Sequence, residues 1–231
     1  MSNNQNPSTE QQTVTVQQAL ELAVQHHNAG DLPKAEGIYQ EVLKADPNQP
    51  VALHLLGVIT HQRGDSKKAV NLINNSLALK PDYVEAHSNL GLVFQESGQL
   101  DDAVVSLRKA LSLNSNFAEA HNNLGITLTG LGRWEEVAAS YQKALDLKPD
   151  YAEAYNNLGG AALKGLGRLD EALASYQSAL TLNPRYVDAH NNLGVVLKEL
   201  GRPGEAESSF RKAIEIKPDY PEAHNNVGTL W

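Results

Sequence analysis

Asparagine is the residue type whose placement in this chain offers the most chemistry. One set, Asn89, Asn123, Asn157, Asn192 and Asn226, recurs at steps of 34, 34, 35 and 34 residues. A second set, Asn122, Asn156, Asn191 and Asn225, stands immediately before four members of the first. A carboxamide carries both donors and an acceptor, so it can bracket a peptide unit of an extended guest. Such contacts read backbone rather than side chains, which predicts broad sequence tolerance. At about 0.5–1.5 kcal/mol net per hydrogen bond, five amides supply a few kcal/mol, corresponding to affinity of about millimolar to micromolar. Tight binding then needs side-chain pockets or a longer array. Two structural roles compete with this one: polar filler on a solvated face, or a tie between neighbouring copies of the repeated segment.

Other chemistries fail on spacing. His87, His121, His190 and His224 recur once per repeat, with Tyr155 substituting once. Metal ligation needs convergence within a few ångströms, and a whole repeat separates each from the next, so we expect no metal site but packing with a locally bonded ring nitrogen. His26 and His27 are adjacent on a helix and point in different directions. The glycines from Gly159 to Gly167 follow a helix rather than a strand and lack a closing Lys-Ser or Lys-Thr pair, so they are not a phosphate loop. Arg63, Gly64 and Asp65 spell an adhesion tripeptide, but they occupy the turn that reads Ala29, Gly30 and Asp31 one repeat earlier. The chain has no cysteine, which removes disulfides, cysteine nucleophiles and thiolate metal sites. No catalytic constellation and no cofactor site remain.

The formal charge of −8 and the absence of a lysine or arginine cluster oppose nucleic-acid binding, which needs several cations on one face. No run approaches the length needed to cross a bilayer, and the start has neither a basic region nor an apolar stretch. The expectation is a soluble, cytoplasmic protein with no membrane partner. Residues 1–15, rich in Asn, Gln, Ser and Thr, read as a disordered polar tail.

The elements that must position the asparagines follow from two glycine series. Gly57, Gly91, Gly125, Gly159, Gly194 and Gly228 align at a 34-residue offset, with one step of 35, and Ala23 falls in register before them. Gly30, Gly64, Gly98, Gly132, Gly167 and Gly201 form the second series and read as turns. Around the first series runs a helical stripe such as His121, Leu124, Gly125 and Leu128, which defines helix A. After the turn comes helix B, with Val137, Tyr141, Ala144 and Leu145, echoed by Ala172, Tyr176, Ala179 and Leu180 and by Ala206, Phe210, Ala213 and Ile214. Pro47, Pro81, Pro149, Pro184 and Pro218 recur just past helix B, with Ser115 in that place once. Each unit is an antiparallel helix pair, and a lone pair leaves one apolar face wet, so neighbours must stack into a solenoid. Glycine inside helix A costs roughly 1 kcal/mol relative to alanine at each site, and close approach of a neighbouring helix is the expected compensation. Between Gly159 and Leu163 the fifth repeat holds one more residue than the fourth does between Gly125 and Leu128, which predicts a π-type bulge near residues 160–162 or a shift of the local turn.

The small residues within both helices, the large side chains at Tyr39, Tyr141, Tyr176 and Phe210 and the closing proline resemble the tetratricopeptide repeat over residues 16–231. The wording EAHNNLGxxLxxLGRxxEAxxSYxKALxLxPDY is similar to the repeat domain of O-linked N-acetylglucosamine transferases and their bacterial relatives. The resemblance implies an all-α, right-handed α-solenoid of stacked antiparallel helix hairpins. Six full repeats are expected, at 16–49, 50–83, 84–117, 118–151, 152–186 and 187–220, followed by helix A of a seventh at 221–231. It also implies that the helix A asparagines look into a concave groove as a ladder, Asn89, Asn123, Asn157, Asn192 and Asn226 foremost, with Asn122, Asn156, Asn191 and Asn225 as the weaker set. Chaperone-binding members of the family clamp a terminal carboxylate with cations. Here Glu85, Glu119, Glu153, Asp188 and Glu222 carry the wrong sign, and as acids in a first turn they suit the helix dipole. The functional expectation is a non-catalytic scaffold that binds protein or peptide segments. An alternative is the substrate-recognition part of a glycosyltransferase. A third is a homo-oligomer built through the uncapped C-terminal edge at Val227, Leu230 and Trp231.

Overall fold

The structure, a computed structural model, describes residues 15–230; residues 1–14, which hold most of the expected tail, and Trp231 lie outside the described part. Among the described residues there are thirteen α-helices and no strand. The chain divides into two compact units. The first ends at Asp82 and contains α1 (Val16–Asn28), α2 (Leu32–Ala45), α3 (Pro50–Gln62) and α4 (Ser66–Leu79). The second begins at Tyr83 and contains α5 (Val84–Glu96), α6 (Leu100–Leu113), α7 (Ala118–Gly130), α8 (Trp134–Leu147), α9 (Ala152–Gly160), α10 (Leu169–Leu182), α11 (Val187–Glu199), α12 (Pro203–Ile216) and α13 (Pro221–Gly228). Thr15, within the expected tail, is the N-cap of α1. Its hydroxyl accepts from the Gln18 N–H while the Gln18 side chain accepts from the Thr15 N–H.

Odd-numbered and even-numbered helices pair as hairpins, and the turn within each pair is built on a left-handed glycine. At the end of α7, Gly132 takes φ of 69°, its N–H bonds to the Thr129 carbonyl, and the Arg133 N–H reaches the Leu128 carbonyl at 3.1 Å. This closing pattern satisfies carbonyls that the helix leaves open, and it needs a residue with no side-chain penalty at positive φ. All six glycines of the second series adopt positive φ.

The glycines inside helix A are explained by what lies against them. A Cβ at Gly125 would sit 2.5 Å from Cε1 of Tyr141, and one at Gly194 would sit 2.5 Å from Cε1 of Phe210. Ile73, Leu107 and Tyr176 press in the same way on Gly57, Gly91 and Gly159. The large residue of helix B therefore occupies the volume that a helix A side chain would take, and the close approach offsets the intrinsic penalty of glycine. Tyr39, Ile73, Leu107, Tyr141, Tyr176 and Phe210, all buried, form one register through the chain.

Loops between hairpins are tied by the recurring histidines. His121, His190 and His224 each donate Nε2–H to the carbonyl six residues earlier, of Ser115, Pro184 and Pro218, at 3.1, 2.9 and 2.8 Å. The acceptor fixes the tautomer, because a carbonyl can only accept.

The inserted residue of the fifth repeat is absorbed as a π-helical turn at Ala161–Gly165, directly after α9, one residue beyond the start of the expected stretch. The Leu166 N–H bonds to the Ala161 carbonyl at 3.2 Å, a step of five. Widening one turn takes up the extra residue and leaves Gly159 against Tyr176 in the common register. The ring of Trp134 lies where a Cβ at Gly165 would be, so glycine is required beneath it.

At the C-terminal end, the sequence reading expected Val227 and Leu230 to form an open apolar edge. The structure instead folds Leu230 back to 8 % exposure in the cluster of Leu197, Ala206 and Phe210, with Val227 half-buried against it. The helix stops at Gly228, and the Lys198 ammonium donates to the Thr229 carbonyl at 2.7 Å, which holds the returning segment.

Candidate functional site

In the second unit α7, α9, α11 and α13 each carry two neighbouring asparagines, and α5 carries Ser88 and Asn89 at the same positions. The structure places the paired asparagines in contact across repeats. Asn157 Nδ2 donates to Asn122 Oδ1 at 3.4 Å, Asn192 Nδ2 to Asn156 Oδ1 at 3.1 Å, and Asn226 Nδ2 to Asn191 Oδ1 at 2.9 Å. In the fifth, sixth and seventh repeats the second asparagine thus donates to the first asparagine of the repeat before. Asn122, 1 % exposed, also donates to the Glu153 carboxylate at 3.5 Å, so it grips two residues one helical turn apart on α9. Further along the stack, the Thr127 hydroxyl is within hydrogen-bond reach of both the Gln95 side-chain oxygen and the Asn123 carbonyl.

These bonds leave much of each amide unused. A side-chain amide has two N–H donors and an oxygen with two lone pairs, and each tie uses one donor of the later residue and one lone pair of the earlier. Asn156, Asn157, Asn191, Asn192, Asn225 and Asn226 line one wall of a cavity of about 520 Å³. Asn89, Asn123 and Asn122 are not in its wall. Both positions face the cavity and both take part in the ties, but Asn122 and Asn191 of the weaker set are buried whereas Asn89, Asn123, Asn157, Asn192 and Asn226 are all half-buried.

The rest of the cavity is largely apolar. Ile126, Trp134, Leu163 and Val195 contribute to it, and so does Ala161 of the π-helical turn. Tyr141 and Tyr176 reach it from helix B. Burial pushes the Tyr141 phenol up to about 12 and the Tyr176 phenol further still, so both are neutral hydrogen-bonding groups at any ordinary pH. One cation, Lys164, and one anion, Glu222, stand at the cavity. The sequence reading did not single out the cavity's aromatic and apolar residues as functional. The available signal was the residue after the helix A glycine, which is Val58, Leu92, Ile126 and Val195 in the neighbouring repeats but Gly160 in the fifth.

The acids in the first turn of helix A also join the ties. Tyr220 donates its hydroxyl to Asp188 at 2.8 Å, and Lys148 pairs with Glu119 at 3.2 Å. Among the described residues no three His, Asp or Glu side chains gather as a metal site, and no helix is long and apolar enough to cross a membrane.

Comparison with known proteins gives a consistent picture. Family models described as "TPR repeat" match residues 59–98, 94–132, 127–165 and 160–201, and one described as "Tetratricopeptide repeat" matches 187–220. No curated protein sequence matches significantly. Among solved structures, MamA is 28 % identical with a TM-score of 0.66, the match covering 71 % of this chain and 95 % of that one. PilW, described as a widely conserved type IV pilus biogenesis factor, superposes with a TM-score of 0.82 at 20 % identity over 91 % of this chain and 97 % of that one. YrrB, described as a TPR protein with an unusual peptide-binding site, gives 0.67 at 21 % identity over 81 % and 96 % of the two chains.

Proposed function

Since the chain belongs to the tetratricopeptide repeat family, we propose that it is a non-catalytic interaction scaffold that holds extended polypeptide segments along the asparagine-lined wall of its second unit. The observation that carries this reading is the set of six asparagines around the 520 Å³ cavity, each with hydrogen-bonding capacity beyond the inter-repeat ties. The ties hold the amides in place before a guest arrives, which reduces the ordering cost of binding. An extended peptide alternates N–H and C=O groups along its length, and carboxamides on the wall can meet either. The description of YrrB as a peptide-binding TPR protein supports the same direction. In this reading the array over residues 16–231 is the scaffold, and the amides of α9, α11 and α13 are its guest-reading part.

The test is a peptide array probed with the purified chain and with a variant carrying Asn157→Ala, Asn192→Ala and Asn226→Ala. Because these amides also tie repeats, each protein is first shown to be folded by circular dichroism at the temperature of the assay. We expect the wild type to bind many extended peptides with micromolar to millimolar affinity and the folded variant to lose at least tenfold. A folded variant that binds as wild type would overturn the reading.

A further inference from the structure

Within that groove the fifth repeat differs from its neighbours at one place. In the fourth and sixth repeats the residue after the helix A glycine is Ile126 or Val195, and both side chains line the cavity. In the fifth repeat it is Gly160, which also lines the cavity, and a Cβ there would meet only the Tyr176 hydroxyl, at 3.7 Å. The row of side chains therefore has a gap over Tyr176. The π-helical turn begins at the next residue and supplies Ala161 and Leu163 to the same wall.

Tyr176 is the floor of that gap. It is 1 % exposed, its ring presses on Gly159, and its hydroxyl has no hydrogen-bond partner among the described residues. The hydroxyl opens on the cavity beside Gly160, 3.7 Å from where a Cβ there would sit, and is free to bond a guest. The apolar residues of the same cavity are Ile126, Trp134, Leu163 and Val195, with Leu163 packed in the cluster of Tyr176. The charged residues at the cavity, Lys164 and Glu222, are of opposite sign, so the site favours neither an anion nor a cation.

We propose that this gap is a side-chain pocket that selects one large, uncharged apolar residue of the bound polypeptide, with the Tyr176 hydroxyl donating to a carbonyl of the same guest residue. The inference rests on the groove reading above and adds selectivity at one guest position to contacts that otherwise read backbone. The inserted residue and Gly160 together make the pocket. A side chain at Gly160 of the kind its neighbours carry closes it.

Trp134 lies in the cavity wall and the chain has two tryptophans, so a Trp231→Phe background isolates it as a fluorescent reporter. The probes are N-acetyl-leucinamide, N-acetyl-phenylalaninamide and N-acetyl-glycinamide, titrated with excitation confined to tryptophan. We expect the first two to shift Trp134 emission saturably, with dissociation constants on the order of millimolar, and the glycine amide to bind at least tenfold more weakly. Gly160→Ile, which copies the fourth repeat, is expected to melt no lower than the parent and to abolish the saturable shift. Tyr176→Phe is expected to weaken binding about three- to tenfold, the range of one hydrogen bond. Equal response to all three probes, or binding retained by folded Gly160→Ile, overturns the pocket. The two readings fail separately. Array peptides that bind without preference for a bulky residue leave the groove and remove the pocket, whereas amide probes that bind while extended peptides do not leave the pocket and remove the groove.

Discussion

The two units are made from the same hairpin and differ in what helix A carries at two positions. In the second unit these positions hold Ser88 and Asn89 in α5, then Asn122 and Asn123, Asn156 and Asn157, Asn191 and Asn192, and Asn225 and Asn226. In the first unit they hold Leu20 and Glu21 in α1 and His54 and Leu55 in α3. The packing that makes the hairpin is common to both: Ile73 fills the space over Gly57 as Phe210 fills it over Gly194. The difference separates what folds the repeat from what the repeat presents. A scaffold position can be filled by any large side chain that suits a glycine opposite, while an amide ladder requires the same residue type in successive repeats.

The largest expected effect breaks the shared part. Phe210→Ala removes a fully buried ring and leaves a cavity against Gly194, which costs about 3–5 kcal/mol. Ile73→Ala in the first unit should cost about 2–5 kcal/mol for the same reason. Hydrogen exchange should show the loss concentrated in α11–α13 for the first variant and in α3 and α4 for the second, since each repeat of such an array depends chiefly on its neighbours. Equal loss of protection throughout both units in either variant would mean that the packing is not local.

A second prediction turns on the buried histidine that replaces an amide. Burial, with His27 nearby adding repulsion, lowers the pKa of His54 from 6.5 to about 4. The charged form is disfavoured in the folded state, so the unfolded chain takes up the proton first. The contribution to stability is present in full above pH 6.5 and is lost progressively as the pH falls to about 4, to a total of about 3 kcal/mol. Chemical denaturation of wild type and His54→Leu across that window should show a steeper fall for the wild type. Parallel pH profiles would contradict the assignment. Ser88 and the amides that hold the corresponding position in the second unit do not titrate in this window, and this contrast sharpens the comparison.

Much of the scaffold was legible because repetition multiplies weak signals. A single glycine in a helical stripe is ambiguous, but six at a near-constant spacing, five of them followed by a turn glycine, admit one explanation, and Gly125 against Tyr141 shows it. The π-helical turn was legible from counting one residue too many in a helix whose register is restored by Tyr176. The asparagines were harder. Adjacent helix positions point about 100° apart, and which of them meets the next repeat depends on the packing angle between hairpins, which no single repeat encodes. Hence both positions face the cavity, and the tie runs from the later residue of one pair to the earlier residue of another. The return of Leu230 depends on a carbonyl contact from Lys198 that leaves no mark in the pattern.

The smallest effect tests the ladder itself. Asn226 donates to Asn191 at 2.9 Å, the shortest of the three inter-repeat amide ties. Removing one partner of a neutral hydrogen bond costs about 0.5–1.5 kcal/mol, and Asn191 is itself buried, so its unmet oxygen falls toward the upper end. Asn226→Ala and Asn191→Ala should each destabilise the second unit by about 1 kcal/mol. The double variant should cost less than the sum, because the bond is lost only once. A coupling energy of about 0.5 kcal/mol or more in a double-mutant cycle, measured by chemical denaturation, establishes the tie. Strict additivity would make the contact incidental and return both amides to the guest. In that case the contrast between the units would lie wholly in what they bind, and no part of it in how the repeats are held together.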